Sequence, residues 1–300
     1  MCGIVGYVGT RQAVPLLMQG LKRLEYRGYD SAGIALQTNG DLKVAKAAGK
    51  IINLESEIVD WNFPCTLGIA HTRWATHGEP TQLNAHPHTD SNHEIAIVHN
   101  GIIENYRALK EFLNRQGYQI RTDTDTEILV HLIRFSYQGD LSKAVRLALS
   151  QVEGTYGIAV VSSLHPGQII AARMGSPLVV GLGNGENFVA SDVSAMLDHT
   201  NRVVYLENGE IATVTADSYS VTNIENQPIV PQIEEVSWTL EQIEKSGFDH
   251  FMLKEIYEQP RSITDTFRGR ISADYKNIHL GGLYQVLPRL VKAKRIVLIG

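Results

Sequence analysis

Between residues 155 and 214 the chain carries six short apolar runs, at 156–161, 168–173, 178–182, 187–190, 202–206 and 210–214, each cut off by glycine, proline, asparagine or aspartate. Runs of four to six residues are too short for ordinary helices. Separated by turn residues at this spacing, they read as strands of an antiparallel sheet joined by hairpins. Such strands must bury at least one face, so the first 150 residues have to supply what covers them.

Those residues supply both strands and helices. Apolar residues at 14, 17, 18, 21 and 24 share one helical face, which predicts a helix over 11–27 with Pro15 tolerated in its first turn. Strands are predicted at 34–36, 41–47, 66–71 and 94–99, and helices at 50–60, 102–116, 128–137 and 141–149. Strands, then helices, then strands again predict an α+β domain of two antiparallel sheets with helices outside, running to about residue 235. Residues 236–247 are polar and without pattern, which predicts a linker. A second unit is expected over 248–300, with its first helix around 254–260 and a continuous apolar run at 295–300 that reads as a buried strand without neighbours.

The formal charge is -5, so there is no basic excess to neutralise phosphates and no nucleic-acid partner is expected. No apolar run reaches membrane-spanning length and no signal peptide is evident, so a cytoplasmic protein without a membrane partner is expected. Two cysteines, Cys2 and Cys65, make no disulfide framework. Nothing cationic flanks Cys65, which reads as structural.

Cys2 is a different case. A cysteine after the initiator Met is small enough for Met1 to be removed, leaving it with a thiol and a free α-amine. That amine has an ordinary pKa of about 7.7–8.0, so it can take the proton of its own side chain. Gly3 and Gly6 let the backbone pass close to other groups, and Ile4-Val5 opens an apolar strand that would hold the nucleophile on rigid scaffold.

Residues 72–88 form a long irregular segment rich in Arg, Trp, Thr, His and Asn, as binding loops are. Six of the eleven histidines fall between His71 and His99, but no His-x-x-x-His or Cys-x-x-Cys spacing accompanies them, so neither a metal nor any other cofactor is expected. The glycine cluster at 181–185 is followed by no helix and reads as a hairpin turn. Asp123 and Asp125 sit in a Thr-Asp-Thr-Asp-Thr-Glu run that is also a good helix start.

Five of these stretches occur together and in order: Met1-Cys2-Gly3-Ile4-Val5-Gly6, Arg27-Gly28-Tyr29-Asp30-Ser31-Ala32-Gly33, His71-Thr72-Arg73-Trp74-Ala75-Thr76-His77-Gly78, His99-Asn100-Gly101-Ile102 and Thr124-Asp125-Thr126-Glu127. As a set they resemble the class II glutamine amidotransferases, a family of N-terminal-nucleophile hydrolases. The form Leu24-Glu25-Tyr26 ahead of Arg27, and the later Lys254-Glu255-Ile256-Tyr257-Glu258-Gln259-Pro260, are similar to the branch of that family that aminates fructose 6-phosphate.

The resemblance implies a four-layer α-β-β-α domain over 1–235 and, after a linker at 236–247, the truncated start of an α/β sugar isomerase domain over 248–300. It implies L-glutamine as substrate, Cys2 as nucleophile, and Asn100 and Gly101 as the donors of an oxyanion hole. Arg73 would bind the α-carboxylate and Asp125 the α-ammonium, with Asp123 the alternative if the register of the doubled Thr-Asp is off by one repeat. Trp74, Thr76 and His77 would line the glutamine pocket, and Arg27 would help place the Cys2 terminus. In the longer enzyme, ammonia would go to fructose 6-phosphate to make glucosamine 6-phosphate, with homo-oligomers formed through the isomerase domain. The 300 residues alone are expected to hold the glutaminase half only. Two rival readings are the glutaminase domain of another class II enzyme, such as an amidophosphoribosyltransferase, and a non-catalytic glutamine-binding module.

Overall fold

The computed structural model describes residues 2–38, 40–75, 78–237, 248–267, 270–271 and 290–295. Its elements run β1 (Gly3–Val8), α1 (Ala13–Leu24), β2 (Ser31–Gln37), β3 (Leu42–Ala48), α2 (Ile51–Glu57), β4 (Leu67–Arg73), β5 (His88–Thr89), β6 (Ile95–Ile103), α3 (Tyr106–Arg115), α4 (Asp125–Ser136) and α5 (Leu141–Leu149). They continue with β7 (Gly154–Ser162), β8 (His165–Met174), β9 (Val179–Leu182), β10 (Asn187–Ala190), β11 (Arg202–Tyr205), β12 (Glu210–Thr215), β13 (Tyr219–Asn223), β14 (Pro228–Ile229), β15 (Glu234–Glu235) and α6 (Phe251–Phe267).

The strands form two sheets, ordered β15-β11-β9-β10-β1-β4-β2-β3 and β14-β13-β12-β8-β7-β6-β5. Their named strand pairs are all antiparallel. Side chains alternate across each strand, and the three buried clusters follow that period. In β1, Ile4 and Val8 join Ile69, Val98, Ala159 and Val180 between the sheets. Val5 and Tyr7 point the other way, into a layer made with Leu17, Leu21 and Leu24 of α1 and Leu54 of α2. On the second sheet Ile95, Ile97, Ile158 and Val160 pack under Leu109, Leu129, Leu132 and Val145 of α3, α4 and α5. The expected four layers are present, in the order helices, sheet, sheet, helices.

Several strands run further than the sequence suggests, and two of them, β4 and β6, shape the polar end of the fold. The runs were expected to end at His71 and His99, because polar residues follow. Both ladders continue: Ser31 pairs with Arg73 across β2 and β4, and Asn100 with Gly157 and Ile103 with Gly154 across β6 and β7. The helix expected from 102 therefore starts only at Tyr106. Short strands β13, β14 and β15 were also missed. β13 reads Tyr-Ser-Val-Thr-Asn, and the other two have two residues each, too short for a pattern to register. The 181–185 turn does join a hairpin, β9 to β10.

Helix α6 lies where a helix through 254–260 was expected. The expected linker lies outside the described residues from 238 onward, and the expected terminal strand from 296 onward. Among the described residues no helix is long and apolar enough to cross a membrane.

Candidate active site

One end of the sheet sandwich is polar. The alternation that places Ile4 and Val8 between the sheets puts Cys2 on the same side, just before β1. In β4 it carries inward-facing Leu67 and Ile69 on to His71 and Arg73, and in β6 Ala96 and Val98 on to Asn100. The antiparallel pairing of β1 with β4, Gly3 opposite Thr72, brings the start of one beside the end of the other. The apolar inter-sheet core thus ends in a cluster of a thiol, a guanidinium, an amide and an imidazole.

Cys2 is half-buried. Its Sγ accepts the backbone N–H of Trp74 at 3.2 Å, and Asn100 Nδ2 donates to the Cys2 carbonyl at 3.2 Å. The close approach of the chain behind this point depends on Gly28, where a Cβ would stand 2.7 Å from both Arg73 C and Trp74 N. Burial pushes the Cys2 thiol above its ordinary pKa, and the Trp74 N–H and the Arg73 charge offset this only in part. The thiolate is therefore not preformed, and a nucleophilic role requires a base.

Gly101 follows Asn100 with φ +133°, in the left-handed region. Arg73 is 4% exposed and donates to the carbonyls of Glu79 at 3.3 Å and Gly78 at 3.4 Å. Burial lowers its pKa, while Cys2, Asp125 and Asp30 pull it back up. Asp125, 6% exposed in the first turn of α4, accepts the Ile103 N–H at 2.8 Å. Asp123 lies apart on the surface, paired with Asn84 through both its backbone N–H and its carboxylate. Arg27 ion-pairs with Asp192 at 3.0 Å and reaches Ser191, whose hydroxyl accepts the Ile4 N–H, so its link to the Cys2 strand runs through the 191–192 turn. Trp74 is 45% exposed, edge-on to Tyr29. Thr76 and His77 lie outside the described residues.

Cys2, Arg27, Arg73, Trp74, Asn100, Gly101 and Asp125 line one cavity of about 350 Å³. That volume holds a small molecule the size of an amino acid. A buried cation and a buried carboxylate lining the same cavity suit a zwitterion, whose two charged ends would otherwise be costly to desolvate. A wider, open depression around Lys22, Arg23 and Tyr26 holds no nucleophile.

Of the clustered histidines, His86 and His99 line this cavity, and His71 and His88 pack against His86. His71 and His86 stack at 4.2 Å, and His86 meets His88 edge-on. His99 Nδ1 and His86 Nε2 share the Thr126 hydroxyl at 2.9 and 3.3 Å, and His88 Nε2 pairs with the Thr124 hydroxyl at 3.0 Å. Burial drives His71 down to about 3 and His86 and His88 well below the ordinary range, so these rings are neutral. Cys65 is buried against the carbonyls of Gln37 and Leu67.

Sequence reasoning missed several wall residues: His99, Glu104, Thr155 and the turn at 175–177. The turn carries Gly175-Ser176-Pro177 after a strand, a signal that was visible but not distinctive. Thr155 and Glu104 come to the cavity only because β6 and β7 extend past their apolar runs.

A family model described as a glutamine amidotransferase domain matches residues 60–238. Curated relatives named glutamine–fructose-6-phosphate aminotransferase (isomerizing) include one from Chlorobaculum tepidum, 54% identical over 99% of this chain and 50% of its own length. Another, from Bacteroides thetaiotaomicron, is 50% identical over 100% of this chain and 50% of its own. The chain spans about half the length of these relatives. Among solved structures, a glutamine phosphoribosylpyrophosphate amidotransferase from B. subtilis superposes with a TM-score of 0.66 at 27% identity, covering 74% of this chain and 49% of that one.

Proposed function

The chain belongs to the glutamine amidotransferase domain family, and from that premise we propose that it hydrolyses L-glutamine at Cys2 to glutamate and ammonia. The observation that carries this reading is the convergence of Cys2, Asn100, Arg73 and Asp125 on one amino-acid-sized cavity. Arg73 takes the α-carboxylate of glutamine in a two-pronged contact and Asp125 its α-ammonium, which leaves the side-chain amide to reach the thiol. With Met1 removed, the α-amine of Cys2 accepts the thiol proton as Sγ bonds to the amide carbon. The negative charge that develops on the amide oxygen is met by Asn100 Nδ2 and the Gly101 N–H. The ammonium then returns its proton to the departing nitrogen, the C–N bond breaks, and ammonia leaves a thioester on Cys2. Water, deprotonated by the same amine, releases glutamate.

The longer relatives carry a second half, and their name supports ammonia transfer to fructose 6-phosphate as the fate of the ammonia in the whole protein. The test is glutamate release by the 300-residue protein with its N-terminus checked by mass spectrometry. Release from protein with a free Cys2, and none from protein retaining Met1, is expected. Full activity with a blocked N-terminus would overturn the mechanism. Adding fructose 6-phosphate should give no amino sugar; its appearance would mean the acceptor site lies within these residues. A glutamine-binding module without catalysis would bind glutamine and release nothing.

A further inference from the structure

We propose that His71 is a positioning residue for the oxyanion hole: its Nε2–H holds the Asn100 carboxamide in the one orientation that presents Nδ2 to the substrate. The proposal rests on Asn100 acting as the oxyanion donor described above.

An asparagine side chain is nearly symmetric in shape but not in chemistry. Turned by 180° about χ2, Asn100 would present a carbonyl oxygen to the developing oxyanion and repel it. Something must choose between the two orientations. Among the described residues two hydrogen-bond partners touch the amide. The Cys2 carbonyl lies 3.2 Å from Nδ2, and a carbonyl oxygen can only accept. His71 Nε2 lies 2.9 Å from Oδ1, and Oδ1 can only accept, so Nε2 must carry the proton. The two contacts are consistent only for one amide orientation and one tautomer.

The Cys2 carbonyl alone is a weak selector, because it belongs to the residue that reacts. His71 is the fixed element. It is 0% exposed, sits in the β4 ladder opposite Ile4 and Gly33, and stacks on His86 at 4.2 Å. His86 is held in turn: its Nδ1 accepts the His99 N–H at 3.3 Å, which leaves its Nε2–H to donate to Thr126. Among the described residues His71 Nδ1 has no hydrogen-bond partner of ordinary geometry. The competing acceptor on the Nδ1 side is the His99 carbonyl. A proton drawn to it would leave Asn100 unanchored.

Glutamine and asparagine separate the two ring positions. A Gln amide nitrogen reaches where Nε2 was; an Asn amide reaches only the Nδ1 position. His71→Gln should keep turnover within about threefold of wild type, while His71→Asn and His71→Leu should lower kcat by about 10- to 100-fold with KM within about twofold. In an Asn100→Ala background the same His71 changes should cost nothing further, since His71 acts only through that amide. The tautomer can be read directly from imidazole ¹⁵N shifts in the resting protein.

Equal kcat for folded His71→Gln and His71→Asn would overturn the proposal, as would a loss in the Asn100→Ala background equal to that in the wild type, or an Nδ1–H tautomer. If His71→Leu does not fold, the Gln/Asn pair and the tautomer still decide. If Asn100→Ala itself turns over normally, it is the oxyanion assignment that fails, and the two failures are distinct.

Discussion

Gly101→Ala tests how tightly the proposed oxyanion donor, the Gly101 N–H, is tied to the sheet. At φ +133° an L side chain is strained wherever it has room, at about 1–3 kcal/mol. Here it has none. An added Cβ would stand 2.7 Å from Thr155 C and closer still to the Thr155 carbonyl oxygen, and both are backbone atoms of the paired strand β7. Ordinary contact begins at 3.4 Å, so at the Thr155 carbonyl oxygen β6 and β7 must part by about an ångström or more. Overpacking of this kind adds about 1–3 kcal/mol. Together these should lower the melting temperature by roughly 4–24 °C for a domain of this size. The same movement carries the Gly101 N–H away from the cavity, and losing one such donor costs about 10²–10³ in kcat. Gly167→Ala is the control. Its φ is +78° with nothing within 4 Å of the new Cβ, so it should cost about 1–2 kcal/mol and leave turnover unchanged. Calorimetry and glutamate release measured well below both melting points decide the matter. A Gly101→Ala protein that melts lower but turns over at the wild-type rate would refute the donor assignment. One that melts as wild type would refute the contact argument.

An electrophilic glutamine analogue should alkylate Cys2 and spare Cys65, which is buried against the Gln37 and Leu67 carbonyls; peptide mapping with most of the label on Cys65 would count against the site. Arg73→Ala and Asp125→Ala should each raise KM by at least tenfold, because each leaves one charged end of the substrate unpaired, whereas Asp123→Ala should change KM by less than about twofold. If Asp123→Ala is the damaging change, the role given to Asp125 belongs to Asp123. Glu127 should contribute to acid sensitivity: burial opposes its charge, but His131 and the N–H groups of Arg121 and Thr122 hold its pKa down at about 2. Its folded pKa lies below its unfolded one, so its stabilisation is present above about pH 4.5 and is lost as pH falls towards 2. Glu127→Gln should flatten that part of the stability profile, and an unchanged profile would remove Glu127 from the account.

The layered fold was legible because short apolar runs cut off by turn residues mark the strands and because α1 has a clear apolar face. What was not legible is where strands stop. Arg73 and Asn100 look like loop residues, since a charge or an amide ends an apolar run. In the structure they are ladder residues whose side chains continue the inward phase at the open end of the sandwich. Local pattern cannot show this, because the polarity reflects a cavity made by a second sheet. For the same reason the sequence shows His71 only as the last residue of a predicted strand, with no partner for its side chain. Its contact with Asn100 joins residues 29 apart in sequence, and it depends on how β4 faces β6 across the inter-sheet space. Cys2, Asn100, Arg73 and Asp125 were singled out by motif resemblance. Their arrangement around one cavity is what the structure adds.

That arrangement also bears on which group can activate the thiol. A histidine is the usual partner for a cysteine nucleophile, and four histidines lie close behind this one. Each is already committed. The Asn100 contact requires a proton on His71 Nε2, and the ring is held at about pKa 3 by burial, so it has neither a free basic nitrogen on that side nor the basicity to take a proton near neutrality. His86 uses one nitrogen for the His99 N–H and the other for Thr126, and His99 is divided between Thr126 and the Thr155 carbonyl at 3.4 Å. His88 is turned to Thr124. Charging any of them would place a cation among three other rings and beside Arg73, in surroundings that already push His86 and His88 well below their ordinary range. The cluster therefore supports the walls of the cavity and leaves proton transfer to a group outside it. The α-amine of Cys2 has the right ordinary pKa and is bonded to the same residue. It exists as a base only when Met1 is gone, so on this reasoning removal of Met1 is the step that activates the site.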